Sequence, residues 1–121
     1  MKKILVIEDD PILLDAYKIK LENEGFVFMK AITVDEGMKS INTEKPDLVI
    51  LDIMLPGDKN GFDALEEIRK NPLLENMPVI ILTNLETEES TAKSIGAYAY
   101  FIKSNTQLET VIAKIREATN A

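Results

Sequence analysis

The chain has 121 residues, a net charge of −7, 45% hydrophobic and 29% charged residues, and neither Cys nor His. The length supports one domain with a real core, taken here as residues 1–121. The missing residue types exclude disulfides, thiolate chemistry, zinc sites and histidine bases, while the acidic balance opposes direct nucleic-acid binding and suits hard cations and basic protein partners.

The N-terminus reads "MKKILVIEDD". Its apolar run is too short for a signal-peptide core, and no later stretch approaches a membrane span, so the expected setting is cytoplasmic with no membrane. The run over Lys3–Ile7 predicts a first strand. Asp10 then stands as a cap before Pro11, with Leu14, Tyr17 and Leu21 at helical spacing. Phe26–Ala31 predicts a second strand, and Lys30 within it points to a sheet edge. Thr33 and Glu36 form a capping-box pattern before Val34, Met38 and Ile41. Leu48–Leu51 is the third strand. Phe62, Leu65 and Ile68 mark a third helix, stopped by Asn71–Pro72. Val79–Leu82 is the fourth strand. A weakly amphipathic helical segment follows over Glu86–Ile95, anchored by Ala92 and Ile95, and is expected to be the most lightly held helix. Tyr98–Ile102 is the fifth strand. Ser104 and Gln107 look like a capping box opening a last helix along Leu108, Val111, Ile112 and Ile115.

Five β-α repeats imply an α/β doubly wound parallel sheet with helices on both faces, in the flavodoxin-like strand order 2-1-3-4-5. All strands of such a sheet end on one edge. Glu8 and Asp9 follow strand one, Asp52 strand three, Thr83 strand four and Lys103 strand five. With strands one and three adjacent, three carboxylates converge on a crevice beside one ammonium and one hydroxyl. Like charges about 4 Å apart repel by roughly 4 kcal/mol at an effective dielectric of 20, so the cluster either holds a proton or binds a cation. All-oxygen ligands favour Mg²⁺, Mn²⁺ or Ca²⁺, and Mg²⁺ leaves room for phosphate oxygens.

These stretches resemble the receiver domain of two-component response regulators, over the whole chain. "ILVIEDD" is similar to that family's first strand with its acidic pair, here Glu8 and Asp9. "LVILDIMLPG" carries the phospho-acceptor position at Asp52. "PVIILT" ends in the switch hydroxyl, Thr83, and "GAYAYFIK" supplies the switch aromatic Tyr100 and the lysine Lys103. The resemblance implies phosphoryl transfer from the phosphohistidine of a sensor histidine kinase or phosphotransfer protein onto Asp52. It implies Mg²⁺, or Mn²⁺, held by Glu8, Asp9, Asp52 and the Met54 carbonyl, with Lys103 and Thr83 binding phosphoryl oxygens. It also implies a non-enzymatic signalling role. Phosphorylation would draw Thr83 inward and let Tyr100 turn in, switching the face of helix four, strand five and helix five for a downstream protein or a self-dimer. The chain departs from the pattern at Ser104, where the family usually has proline, at Asn84, usually a small residue, and in the "PGDKNG" loop, which is one residue longer.

Other readings fit less well. A dehalogenase-type phosphatase needs a second Asp where Met54 stands. A flavin or dinucleotide carrier needs a phosphate-binding loop where "EDDPI" would repel phosphate. An unphosphorylated interaction module of this fold would lack the Asp, Lys or Thr, and all three are present. The chain ends after the fifth helical pattern, so the expected output is docking to a partner, unless the chain is a fragment of a longer regulator.

Overall fold

The five apolar runs form five parallel strands: β1 (Lys3–Ile7), β2 (Val27–Ala31), β3 (Leu48–Leu51), β4 (Val79–Thr83) and β5 (Ala99–Ile102). The computed structural model describes residues 1–121. The sheet order is β2-β1-β3-β4-β5, the expected doubly wound arrangement. Helices α1 (Pro11–Asn23), α2 (Val34–Glu44), α3 (Gly61–Lys70), α4 (Glu89–Ile95) and α5 (Leu108–Thr119) connect and cover it.

Side-chain alternation along the strands divides the core in two. Leu5, Ile7, Val49, Leu51, Val79 and Ile81 face α2, α3 and α4, meeting Met38, Ile41, Leu65, Ile68 and Ala92. Ile4, Val6, Leu48, Ile50, Ile80 and Leu82 face α1 and α5, meeting Leu14, Tyr17, Leu21, Val111, Ile112 and Ile115. Burial on both faces is why β1, β3 and β4 read as continuous apolar runs. Lys30 lies exposed on β2, at the sheet edge. No helix is long and apolar enough to cross a membrane.

Several boundaries differ from expectation. Phe26 precedes β2 rather than opening it; it is buried, with the Arg116 guanidinium 5.0 Å from its ring centre. Tyr98 likewise precedes β5. Helix α4 begins at Glu89 instead of Glu86, with no side-chain cap bond at Glu88. The Thr33 cap forms, accepting from Glu36 N–H at 3.1 Å, but the Glu36 carboxylate accepts from Ile32 N–H, not from Thr33. The Ser104–Gln107 capping box does not form. Ser104 sits in a 3-10 turn, Lys103–Asn105, and α5 starts later, after Gln107, without a side-chain cap bond. A complete capping box occurs instead at α3, where Asn60 and Asp63 exchange side-chain and backbone bonds.

Candidate functional site

Four of the five strand ends deliver the groups: Glu8 and Asp9 follow β1, Asp52 follows β3, Thr83 closes β4 and Lys103 follows β5. The last backbone rungs of the ladder run Ile7 to Leu51 and Thr83 to Ile102, so the residues that follow leave the sheet together. Asp52 N–H still donates to the Ile7 carbonyl at 3.2 Å, and Glu8 N–H to the Ala31 carbonyl at 2.9 Å, which fixes both acids at the edge. Glu8 and Asp52 are buried, 2% and 4% exposed, while Asp9 is exposed. Carboxylate oxygens of all three come within 4.8 Å of one another.

Lys103 reaches into this group from the end of β5. Its ammonium lies 2.5 Å from Glu8 Oε1 and 2.7 Å from Asp52 Oδ2. The remaining oxygens are bound to backbone. Glu8 Oε2 accepts from the N–H groups of Asp9 and Asp10, each at 3.0 Å, and Asp52 Oδ1 accepts from Met54 N–H at 3.1 Å. Burial pushes the Glu8 carboxyl above the usual carboxylate range, against the opposing pull of Lys103. Burial alone would lower the Lys103 pKa, but its hydrogen bonds to Asp52 and Glu8 outweigh that and hold the ammonium above its ordinary value.

Thr83 is fully buried at the end of β4, and its Oγ1 accepts from Leu85 N–H at 3.5 Å, leaving the hydroxyl proton free to donate elsewhere. Tyr100 is only 8% exposed, and its hydroxyl donates to the Leu85 carbonyl. The aromatic ring is thus turned inward here, held through its hydroxyl. Met54 and Leu85 border the site, Met54 being 58% exposed and Leu85 half-buried.

The loop from β3 to α3 is pressed onto the site. Gly61 N–H donates to the Ile53 carbonyl at 2.8 Å, and a Cβ on Gly61 would lie 2.2 Å from the Asp52 carbonyl oxygen. Only glycine fits there. The largest cavity, about 540 Å³ between α1 and β2, touches the acidic group only through Asp9. The chemistry therefore sits in a shallow polar edge and not in a deep pocket.

Three contacts went unread in the sequence. One is the Tyr100–Leu85 bond. Another is a hydrogen bond from Ser104 N–H to Asn84 Oδ1 at 3.0 Å. The third is Arg69, whose guanidinium donates to the carbonyls of Gly96, Leu74 and Met77 at 3.0, 3.1 and 2.6 Å. The first two join residues far apart in the chain, and Arg69 bonds only backbone carbonyls, so no side-chain spacing announces any of them.

Comparison with known proteins gives a consistent result. Residues 4–116 match the family model described as the response regulator receiver domain. The chain is 35% identical over 118 residues to the protein PilH of Pseudomonas aeruginosa, covering 93% of this chain and 97% of PilH. It is 35% identical over 116 residues to the regulatory protein VanR of Enterococcus faecium, covering 94% of this chain but 48% of VanR. It thus spans nearly all of one relative and about half of the other. Among solved structures, the response regulator TrrA of Thermotoga maritima, in complex with Mg²⁺ and beryllofluoride, superposes with a TM-score of 0.87 at 32% identity, covering 98% of this chain and 99% of TrrA.

Proposed function

This chain belongs to the response regulator receiver domain family, a signalling family of two-component phosphorelays, and we propose that Asp52 is its phospho-acceptor. The observation that carries this reading is the ion-paired group of Glu8, Asp52 and Lys103, with Asp9 beside it. Three carboxylates and one ammonium leave the edge two negative charges in excess, which suits one divalent cation.

Glu8, Asp9 and Asp52, with the Met54 carbonyl, are the groups that would hold Mg²⁺, Mn²⁺ being a chemically acceptable substitute. The donor set fits: every candidate atom is a hard oxygen, and three of them are already close. Bound there, the cation would neutralise charge on the transferring phosphoryl group. A carboxylate oxygen of Asp52 attacks phosphorus as the phosphorus–nitrogen bond of the donor phosphohistidine breaks, leaving an aspartyl phosphate and a neutral imidazole once that ring takes a proton. The donor is a sensor histidine kinase or phosphotransfer protein, since this chain has no His to offer. Small donors such as acetyl phosphate can take its place. Lys103 moves from pairing two carboxylates to pairing a phosphoryl oxygen, and the free Thr83 proton donates to another. The protein is a signalling domain that assists its own phosphotransfer and dephosphorylation and is not otherwise an enzyme. It acts in the cytoplasm as one domain over 1–121 and contacts no nucleic acid itself. Its output passes through α4, β5 and α5 to a protein target or a second copy.

Incubation with acetyl phosphate and Mg²⁺ tests the reading. One phosphoryl group is expected on Asp52 by mass spectrometry, lost in Asp52→Ala and on chelating the metal. An unchanged level of modification in Asp52→Ala would overturn it.

A further inference from the structure

Two of the positions where this chain leaves the family pattern, Asn84 and Ser104, meet in space. Asn84 directly follows Thr83, and Ser104 directly follows Lys103. The β4–β5 ladder ends at the Thr83–Ile102 rung, so past that point no strand pairing holds these two segments together. The Asn84 side chain takes over. Its Oδ1 accepts from Ser104 N–H at 3.0 Å.

Ser104 N–H has a specific need for this acceptor. It lies in the 3-10 turn Lys103–Asn105, and the first N–H groups of such a turn have no partner inside it. The residue that should cap the turn is Ile102, whose side chain offers no acceptor, and no cap bond is made there. At the far end, Thr106 Oγ1 donates to the Ile102 carbonyl at 2.7 Å, so the only polar anchor at Ile102 is its backbone. Asn84 therefore caps the turn from the position just past the end of β4. Lys103 is the first residue of that turn, and its ammonium is carried on a flexible four-carbon stem.

We propose that Asn84 is a positioning residue for Lys103: by capping the Lys103–Asn105 turn across the sheet edge, it sets the turn that aims the ammonium between Glu8 and Asp52 and ties the loop of Thr83 to the loop of Lys103. Proline at 104 could not take part, having no N–H to donate. The consequence for phosphoryl transfer rests on the phospho-acceptor reading above; the contact itself does not.

The test compares Asn84→Ala, which removes the acceptor, with Ser104→Ala, which keeps the N–H. In the unphosphorylated protein, Asn84→Ala should speed Ser104 amide exchange by roughly two- to tenfold, the range that one net hydrogen bond is worth. It should also shift the NMR resonance of the Lys103 ε-methylene toward that of a free lysine. Its rate of phosphorylation by acetyl phosphate should fall several-fold. Asn84→Asp, which keeps an oxygen acceptor, should restore the protection of Ser104. Ser104→Ala should match wild type in all three measurements. Unchanged Ser104 exchange in Asn84→Ala, an unmoved Lys103 resonance, or a Ser104→Ala variant that behaves like Asn84→Ala would each overturn the proposal. A wild-type protein that takes no phosphoryl group would overturn the phospho-acceptor reading instead, and the exchange and resonance measurements would still decide the contact.

Discussion

Lys103 Nζ stands between Glu8 Oε1 and Asp52 Oδ2, at 2.5 and 2.7 Å, so a single cation separates two buried carboxylates. Removing one partner of a buried ion pair leaves the other charge uncompensated, which typically costs about 3–5 kcal/mol.

Lys103→Met should accordingly lose stability on that scale when divalent ions are chelated. Added Mg²⁺ should then recover more stability in Lys103→Met than in wild type, since a tighter-bound ligand stabilises more and the ammonium no longer competes. Thermal unfolding with and without Mg²⁺ measures both effects. An equal or smaller Mg²⁺ response in the variant would show that the ammonium and the cation do not share these carboxylates.

The switch should act on the segment between the two ends of the site. Thr83, Leu85 and Tyr100 are linked through the Leu85 N–H and carbonyl, so drawing Thr83 toward a phosphoryl oxygen disturbs both bonds. Beryllofluoride with Mg²⁺ should change amide exchange most within residues 83–103. Changes centred on α1 and α2 would place the switch elsewhere.

The aspartyl phosphate should be long-lived. Hydrolysis needs a water in line with phosphorus, and Met54 and Leu85, which border the site, offer no useful donor or acceptor to orient one. Decay of isolated phosphoprotein should be faster in Met54→Asn/Leu85→Glu than in wild type. Equal or slower decay in the double variant would remove these two side chains from control of the water.

Alkaline pH should weaken the fold through Tyr17. This phenol is 2% exposed, and burial, assisted by the nearby Glu8 charge, pushes its pKa well above the ordinary value. An unfolded tyrosine loses its proton near pH 10 while the native one keeps it, so stability falls as pH rises above about 10, by up to about 1.4 kcal/mol per pH unit. Tyr98, Tyr100 and Lys103 are raised too and add in the same direction. Tyr17→Phe should flatten the dependence of stability on pH, read from urea unfolding, by about half a proton at about pH 10 and approaching one proton above about pH 11. An unaltered slope would contradict it.

The parts of the molecule that were legible in the sequence are those set by local pattern. Ile4–Ile7, Leu48–Leu51 and Val79–Leu82 read as strands because both their faces are buried, and Asp10, Thr33 and Pro11 mark real helix starts. The convergence of Glu8, Asp9, Asp52 and Lys103 followed from strand order alone. The capping box at Asn60 was readable too, from an acid three residues on, but the run Phe62, Leu65 and Ile68 drew attention past it. Ser104 misled because a serine with Gln three residues later looks like a helix start, whereas a long-range acceptor on Asn84 holds it in a turn. Arg69 was silent for the same reason: its three partners are carbonyls, which every residue has.

Those three carbonyls give α4 an asymmetric mounting. Arg69 grips the Gly96 carbonyl just past its C-terminus, and the aliphatic part of Arg69 fills the space where a Gly96 side chain would stand. The other end, at Glu88, has no side-chain cap bond and lies next to the Leu85 contacts. A rod of about 10 Å bonded by a side chain at one end and uncapped at the other tilts more readily than it slides. A movement at Leu85 is therefore expected to tilt this helix, with the fulcrum at Arg69 at the opposite end of the strands from the charge that starts it.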